Sequence, residues 1–235
     1  MNRQQFLLAF LTIPFYKHFF HKTLDELQIL TGKKSPVLHS GLQFSALKAF
    51  AAMKKEAQAS GLHLQIVSAY RSYHRQMSIW NGKYERYRKQ GLNGLELIHK
   101  INEFSAIPGT SRHHWGTDAD IIDVGVAQPK NPLFSPHYTN TEGIYNKLYD
   151  WMSENAPRFD YYETYTNDPT RTGYNFEPWH YSYQPIASEY LIKYNKNISL
   201  ESILSPELKG KAFLDEPFFR QYLQNYVNGI NSQLR

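Results

Sequence analysis

Residues 110–120 read Thr-Ser-Arg-His-His-Trp-Gly-Thr-Asp-Ala-Asp, so two histidines and two aspartates share one short stretch. Imidazole and carboxylate groups are good zinc ligands, and a turn running into a strand can aim both kinds at one point. Two ligands do not hold a catalytic zinc, so a third ligand and a general base must come from elsewhere. The second concentration of such groups is Glu177-Pro178-Trp179-His180. His180 is the candidate third ligand and Glu177 the candidate base. Positions three apart in a strand face opposite sides, so these two share a site only if Pro178 bends the chain. His113, Asp120 and His180 would leave a fourth position open, as catalytic zinc sites do. His114 should point away from its neighbour and is read as a non-ligand. A histidine in a loop is commonly solvent-exposed or a core hydrogen-bonder, and the chain has 10 of them. Spacing alone therefore leaves the metal reading and the bland one both open.

A third group is Arg71, in Ser68-Ala69-Tyr70-Arg71-Ser72. It falls where a strand-like segment gives way to a helix. The helix dipole disfavours a cation at that end, which points to a functional reason for it, such as stabilising an oxyanion.

The elements that must carry these groups follow from periodicity and punctuation. Leu42, Ala46, Phe50, Met53 and Ala57 predict a helix over 41–60, closed by Gly61. Residues 63–68 alternate and predict a strand. Ser72 can cap the next helix, which Gly91 ends. A short helix is expected over 94–105, and a strand from Thr117 to Val124. On that strand Asp118 and Asp120 share a face, and two carboxylates there are costly without a cation. Residues 125–140 are read as loop, with a helix starting at Thr141 or Glu142. Strands are expected over 159–165 and 176–183. Helices are expected over 185–195 and 199–233, with Ser199, Ser205 and Asp215 as caps.

The chain has 235 residues, 26 Lys+Arg against 21 Asp+Glu, and a net charge of +5. That balance suits an anionic partner such as a cell-wall polymer, a nucleic acid or a membrane surface. No basic block or nucleic-acid motif accompanies it, so nucleic acid is not expected as a partner. With no cysteine, disulfides, thiolate zinc sites and cysteine nucleophiles are excluded. Eighteen Tyr, fourteen Phe and four Trp suggest a groove lined with rings. The apolar run from Phe6 to Phe15 resembles a signal-peptide core without a clean cleavage site. It reads equally as a first helix, and it is too short to span a bilayer.

Ser111-x-His113-x-x-Gly116-x-x-x-Asp120 and Glu177-x-Trp179-His180 resemble the two signatures of the D-alanyl-D-alanine carboxypeptidase/dipeptidase group of zinc metallopeptidases. Ser68-x-Tyr70-Arg71-Ser72 with Gln76 is similar to the group's third motif, and the resemblance covers roughly residues 30–190. It implies an α+β fold of the LAS, or hedgehog-type metallopeptidase, kind: a small antiparallel sheet flanked by helices, here with a helical C-terminal tail. It implies one Zn2+ held by His113, Asp120 and His180, with Glu177 as base and Arg71 stabilising the transition state. Ser111, Gln76, Tyr70 and Trp179 fall where the group contacts substrate. Asp118 replaces the group's usual Ala. It would either hold a ligand histidine from behind or turn the pocket toward cationic substrate groups.

The implied activity is removal of a C-terminal D-Ala from peptidoglycan stem peptides. Endopeptidase cleavage and a non-catalytic zinc-stabilised binding module are the alternatives. The expected division is an N-terminal helix or signal-like segment at 1–35, a peptidase domain at 36–195 and a helical extension at 196–235. A wall substrate places the chain in the cell envelope or outside the cell.

Overall fold

The computed structural model describes residues 24–235. The apolar run at Phe6 to Phe15, and with it the signal-like reading, lies outside those residues. Four short strands form one antiparallel sheet: β1 (Leu64–Ser68), β2 (Asp118–Asp123), β3 (Tyr161–Glu163) and β4 (His180–Tyr183), in the order β1-β2-β4-β3. Chain order and spatial order differ, so β2 and β4, far apart in sequence, pair at the centre. Every residue of β2 is buried, hence both faces of that strand are covered.

The two faces differ in chemistry. Ala119, Ile121 and Tyr181 join a core under α1 (Phe44–Ala59). Asp118, Asp120, His180 and Ser182 occupy the alternate positions, which a strand sends to the other side. α1 buries Ala46, Phe50, Met53 and Ala57, the helical stripe that the spacing predicts. α2 (Tyr73–Lys89) begins at Ser72, whose side chain accepts a hydrogen bond from the Arg75 N–H. It packs on α3 (Gly94–Asn102), which buries Leu97, Ile98 and Ile101.

Several expectations are corrected, among them the strand expected over 159–165, which is only β3, with Ala156–Phe159 a 3₁₀ turn. The helix expected from Thr141 or Glu142 begins only at Asn146 and ends at Asn155. Before it, Pro136–Thr139 forms a short helix inside the expected loop. The Gly143 N–H bonds the Asn140 carbonyl at 2.7 Å, and a Cβ on Gly143 would stand 2.5 Å from the His137 carbonyl oxygen. That glycine makes a turn where a helix was expected. The strand expected over 176–183 shrinks to β4, because residues 177–180 form a turn. The tail expected as helix over 199–233 is broken into Leu200–Ile203, Glu216–Tyr222, a π-helical turn at Leu223–Val227, and short 3₁₀ pieces. Ser199 and Asp215 do cap helices. Ser205 instead bonds the Glu207 carboxylate, and a left-handed Gly210 interrupts the run.

Although broken, the tail is built into the second core. Leu214, Phe219, Tyr222 and Leu234 pack there with Trp80, Ile101 and Trp115. The Tyr222 hydroxyl bonds Thr110 Oγ1 at 2.8 Å and Tyr174 at 2.5 Å, and accepts from the Ile107 N–H at 3.2 Å. Tail packing therefore reaches the turn that leads into residues 110–120. Phe219 is 2% exposed, so Phe219→Ala should cost about 3–5 kcal/mol. Chemical denaturation would read this as a lower midpoint at unchanged slope.

Candidate metal centre and its cleft

Residues 112–115 form a single 3₁₀ turn that ends at Gly116, with φ +66°. A Cβ there would come within 2.4 Å of Leu38 Cδ2, so the position requires glycine both for its dihedral and for the approach of Leu38. The turn lies across the β1–α2 junction. The His113 carbonyl accepts from the Arg71 N–H at 3.1 Å. His113 Nδ1 bonds the Ala69 carbonyl at 2.7 Å, and His114 Nδ1 bonds the Arg71 carbonyl at 2.6 Å. Each Nδ1 is therefore the protonated nitrogen, since a carbonyl only accepts. That leaves Nε2 of His113 free with its lone pair exposed. His114 uses its Nε2 to accept from the Gly109 N–H at 3.1 Å. Both of its ring nitrogens are occupied, and burial lowers its pKa to about 4, so it is a neutral buried brace.

The second half of the site comes from β4. The His180 N–H bonds the Glu177 carbonyl at 3.0 Å, closing a turn with Pro178 in its second position, where the fixed φ of proline suits it. The turn brings both side chains to one side: Glu177 Oε2 lies 3.2 Å from His180 Nδ1. β2–β4 pairing then sets Asp120 opposite His180. His113 Nε2 and His180 Nδ1 lie 3.6 and 3.5 Å from Asp120 Oδ1, and the ligand atoms of the three residues all lie within 4.8 Å of one another.

Several features fit Zn2+ at this point. Asp120 Oδ1 is buried and has no hydrogen-bond partner, while Oδ2 is held by Arg71 at 2.9 Å. Two imidazoles and a carboxylate are a borderline-soft donor set suited to zinc. Burial favours the neutral Asp120 acid, but His113, His180 and Arg71 outweigh it and hold the carboxyl well below its ordinary range. His113 is pushed toward its neutral form by burial and by Arg71. Both groups are thus in the state that binds metal.

Behind the ligands stands a polar layer of which the sequence identifies Asp118 but not Arg112, Thr117 or Ser182. Asp118 is fully buried and accepts from His180 Nε2 at 3.0 Å, Ser182 Oγ at 2.9 Å and Thr117 Oγ1 at 2.6 Å. Arg112 donates to it at 3.0 Å and to Ser182 Oγ at 2.7 Å, with its guanidinium 4.7 Å from the Trp115 ring centroid. Burial of His180 disfavours its charge, but bonds to Asp118 and Glu177 raise its pKa to about 9, so a metal taken up at Nδ1 displaces a proton from the ring. Asp118 fixes Nε2 as the donor, so Nδ1 is the atom that His180 turns to the site. Of the two roles weighed for Asp118, its position is behind the histidine and not in the substrate space.

The ligands floor a cleft of about 550 Å3 lined by Arg71, Ser111, Glu177 and Trp179 among others. Tyr165, a ring the motifs do not include, stands edge-on to His180 at 4.9 Å. Three residues expected at the substrate do not line the cleft. Asp118 is turned behind His180. Gln76 is fully buried and donates to the Ala106 carbonyl at 2.8 Å. Tyr70 is half-buried and lies outside the lining.

Fold and site together define an α+β domain in which three residues that could hold a metal ion lie in the lining of a cleft. The model of the VanY D-alanyl-D-alanine carboxypeptidase family matches residues 39–186, and the chain belongs to this family. A D-alanyl-D-alanine carboxypeptidase of Enterococcus faecalis is 31% identical over 155 residues, 64% of this chain and 51% of the relative. The chain spans about half the length of the curated relatives it matches. Among solved structures, VanYB in complex with D-alanine-D-alanine matches with a TM-score of 0.50 and 27% identity, covering 66% of this chain and 78% of that one. A vancomycin-resistance D,D-pentapeptidase VanY mutant in complex with Zn(II) matches with a TM-score of 0.50 and 25% identity, covering 73% and 89%.

If Asp118 orients His180, then Asp118→Ala should weaken zinc binding by about 10–100-fold, measured by competition with a chromophoric chelator. Asp118→Asn, which can still accept from Nε2, should lose less.

Proposed function

We propose that this chain is a zinc-dependent carboxypeptidase that removes the C-terminal D-amino acid, D-Ala, from peptidoglycan stem peptides. The observation that carries this reading is the meeting of three ligand atoms, one further carboxylate and one guanidinium in a single cleft. His113 Nε2, Asp120 and His180 Nδ1 would hold the ion. Zn2+ there supplies Lewis acidity, lowering the pKa of water toward about 7 and polarising a carbonyl.

The chain's own groups do the rest. Glu177 takes the proton of the attacking water and passes it to the departing amine, the work of a positioned general acid–base. Its 3.2 Å approach to His180 Nδ1 places its carboxylate beside the ligand cluster. Arg71 spends Nε on Ser68 and one terminal nitrogen on Asp120. Arg71 lines the cleft, and the nitrogen it has left is suited to an oxyanion developing on the attacked carbonyl. Ser111 supplies a hydroxyl and Trp179 an apolar wall for the peptide. The complex of VanYB with D-alanine-D-alanine supports a D,D-peptide as substrate. Peptidoglycan lies outside the cytoplasmic membrane, which favours a place in the cell envelope. No described helix is long and apolar enough to cross a membrane.

Glu177→Ala should lower the release of D-Ala from defined stem peptides by about 10²–10⁴-fold while the protein keeps its zinc in metal analysis. Internal fragments instead of free D-Ala would indicate an endopeptidase. A parent-like rate in Glu177→Ala would refute the role of this carboxylate.

A further inference from the structure

One wall of the cleft carries cations that the chemistry above does not use. Lys83 and Arg86 both line it, three residues apart on α2, a spacing that puts side chains on one helical face. Arg71, the third cation, is already paired with Asp120. Lys83 has no such partner: among the described residues no carboxylate pairs with it. Its polar contact is the Phe104 carbonyl at 3.5 Å, the outer limit of a hydrogen bond. Arg86 lies against Tyr87, its guanidinium 4.8 Å from the ring centroid, and donates to the Tyr87 hydroxyl at 3.1 Å.

A cation drawn out of water without a counter-charge costs free energy. Burial lowers the Lys83 pKa to about 8, even though the charge of Glu177 acts in the opposite sense and Arg86 and Arg71 add to the fall. An anion delivered into the cleft would meet this unpaired ammonium within electrostatic reach of Glu177. The neighbouring walls are Phe104 and Ala106, which suit a small apolar side chain on the residue carrying that anion.

We propose that Lys83, with Arg86 at the rim, seats the free α-carboxylate of the substrate's last residue, so that the cleft selects peptide ends over internal bonds. This rests on the hydrolytic reading above and adds to it the group that the enzyme reads. A peptide's last residue brings one negative charge a few bonds from the amide to be cleaved. An internal peptide bond brings a neutral amide to the same place, and leaves the half-buried ammonium without a counter-charge.

The test is kinetic, on the zinc-loaded full chain. Two acyl-D-Ala-D-Ala peptides are compared, one with a free C-terminal acid and one with a C-terminal amide, using the parent, Lys83→Met and Lys83→Arg. The parent should prefer the acid. Lys83→Met should lower kcat/KM on the acid by about 10–100-fold, the loss of one charged hydrogen bond, mainly through KM. It should leave the amide rate unchanged, and Lys83→Arg should recover most of the loss. Equal use of acid and amide by the parent, or an equal loss on both peptides in Lys83→Met, overturns the carboxylate seat while leaving the hydrolase standing. If the parent cleaves neither peptide, the hydrolytic reading fails and the seat falls with it.

Discussion

Pairing of β2 with β4 puts Asp120 opposite His180 and Asp118 opposite Ser182, and in doing so sinks two carboxylates into the middle of a covered sheet. An isolated buried carboxylate would protonate or unfold its surroundings. Here each one is compensated by a different set of groups. Asp118 is surrounded by donors: Arg112, His180, Ser182 and Thr117. Asp120 has Arg71 on one oxygen, while its other oxygen faces two imidazoles. The first arrangement is closed and structural. The second leaves one carboxylate oxygen without a hydrogen-bond partner, which suits the approach of a cation.

The same division explains why each histidine presents the nitrogen it does. A histidine can offer a lone pair to a metal only from the nitrogen that is not protonated. The Ala69 carbonyl decides this for His113, and Asp118 decides it for His180. As ligands the two would use different nitrogens, because different neighbours hold their backs. His114, with a partner on both nitrogens, shows what the third option is: an imidazole spent wholly on joining two loops. A Cβ on Gly32 would sit 2.3 Å from its ring, so that glycine lets the chain close over the brace.

Cations at three depths divide the work of the remaining charge. Arg112 is buried behind the ligands and neutralises Asp118. Arg71 sits at the floor, tied to Asp120 yet still in the cleft. Lys83 is higher on the wall and lacks a carboxylate partner among the described residues. The tail, which carries none of the motif residues, reaches the site through Tyr222, whose hydroxyl contacts both Thr110 and Tyr174. Packing at a distance from the metal centre thus helps to fix the turn that bears Ser111 and His113.

The features legible in the sequence are those governed by near neighbours. The stripe Ala46, Phe50, Met53 and Ala57 was enough to place α1, and Ser72 was enough to place the start of α2, because helical periodicity and capping are local. His113, Asp120, Glu177 and His180 stood out by residue type, and Pro178 pointed to a bend, although the rest of that segment read as strand. Other features depended on which distant segments meet. Arg112 looked like any polar residue in a turn until β2 and β4 paired and gave it Asp118 and Ser182. Asp118 had two possible directions, and the partner across the sheet selected one. The tail read as continuous helix because its apolar spacing is helical. Its actual breaks follow from docking against α2 and α3, where Trp80 takes the Lys209 carbonyl and Tyr73 takes that of Ile203. Sequence determined which groups were present and which short elements carried them. Tertiary structure decided which nitrogen each histidine turns to the site, which carboxylate is closed and which is open, and which cation lacks a carboxylate partner among the described residues, because each of these depends on which residues far apart in the chain are brought together.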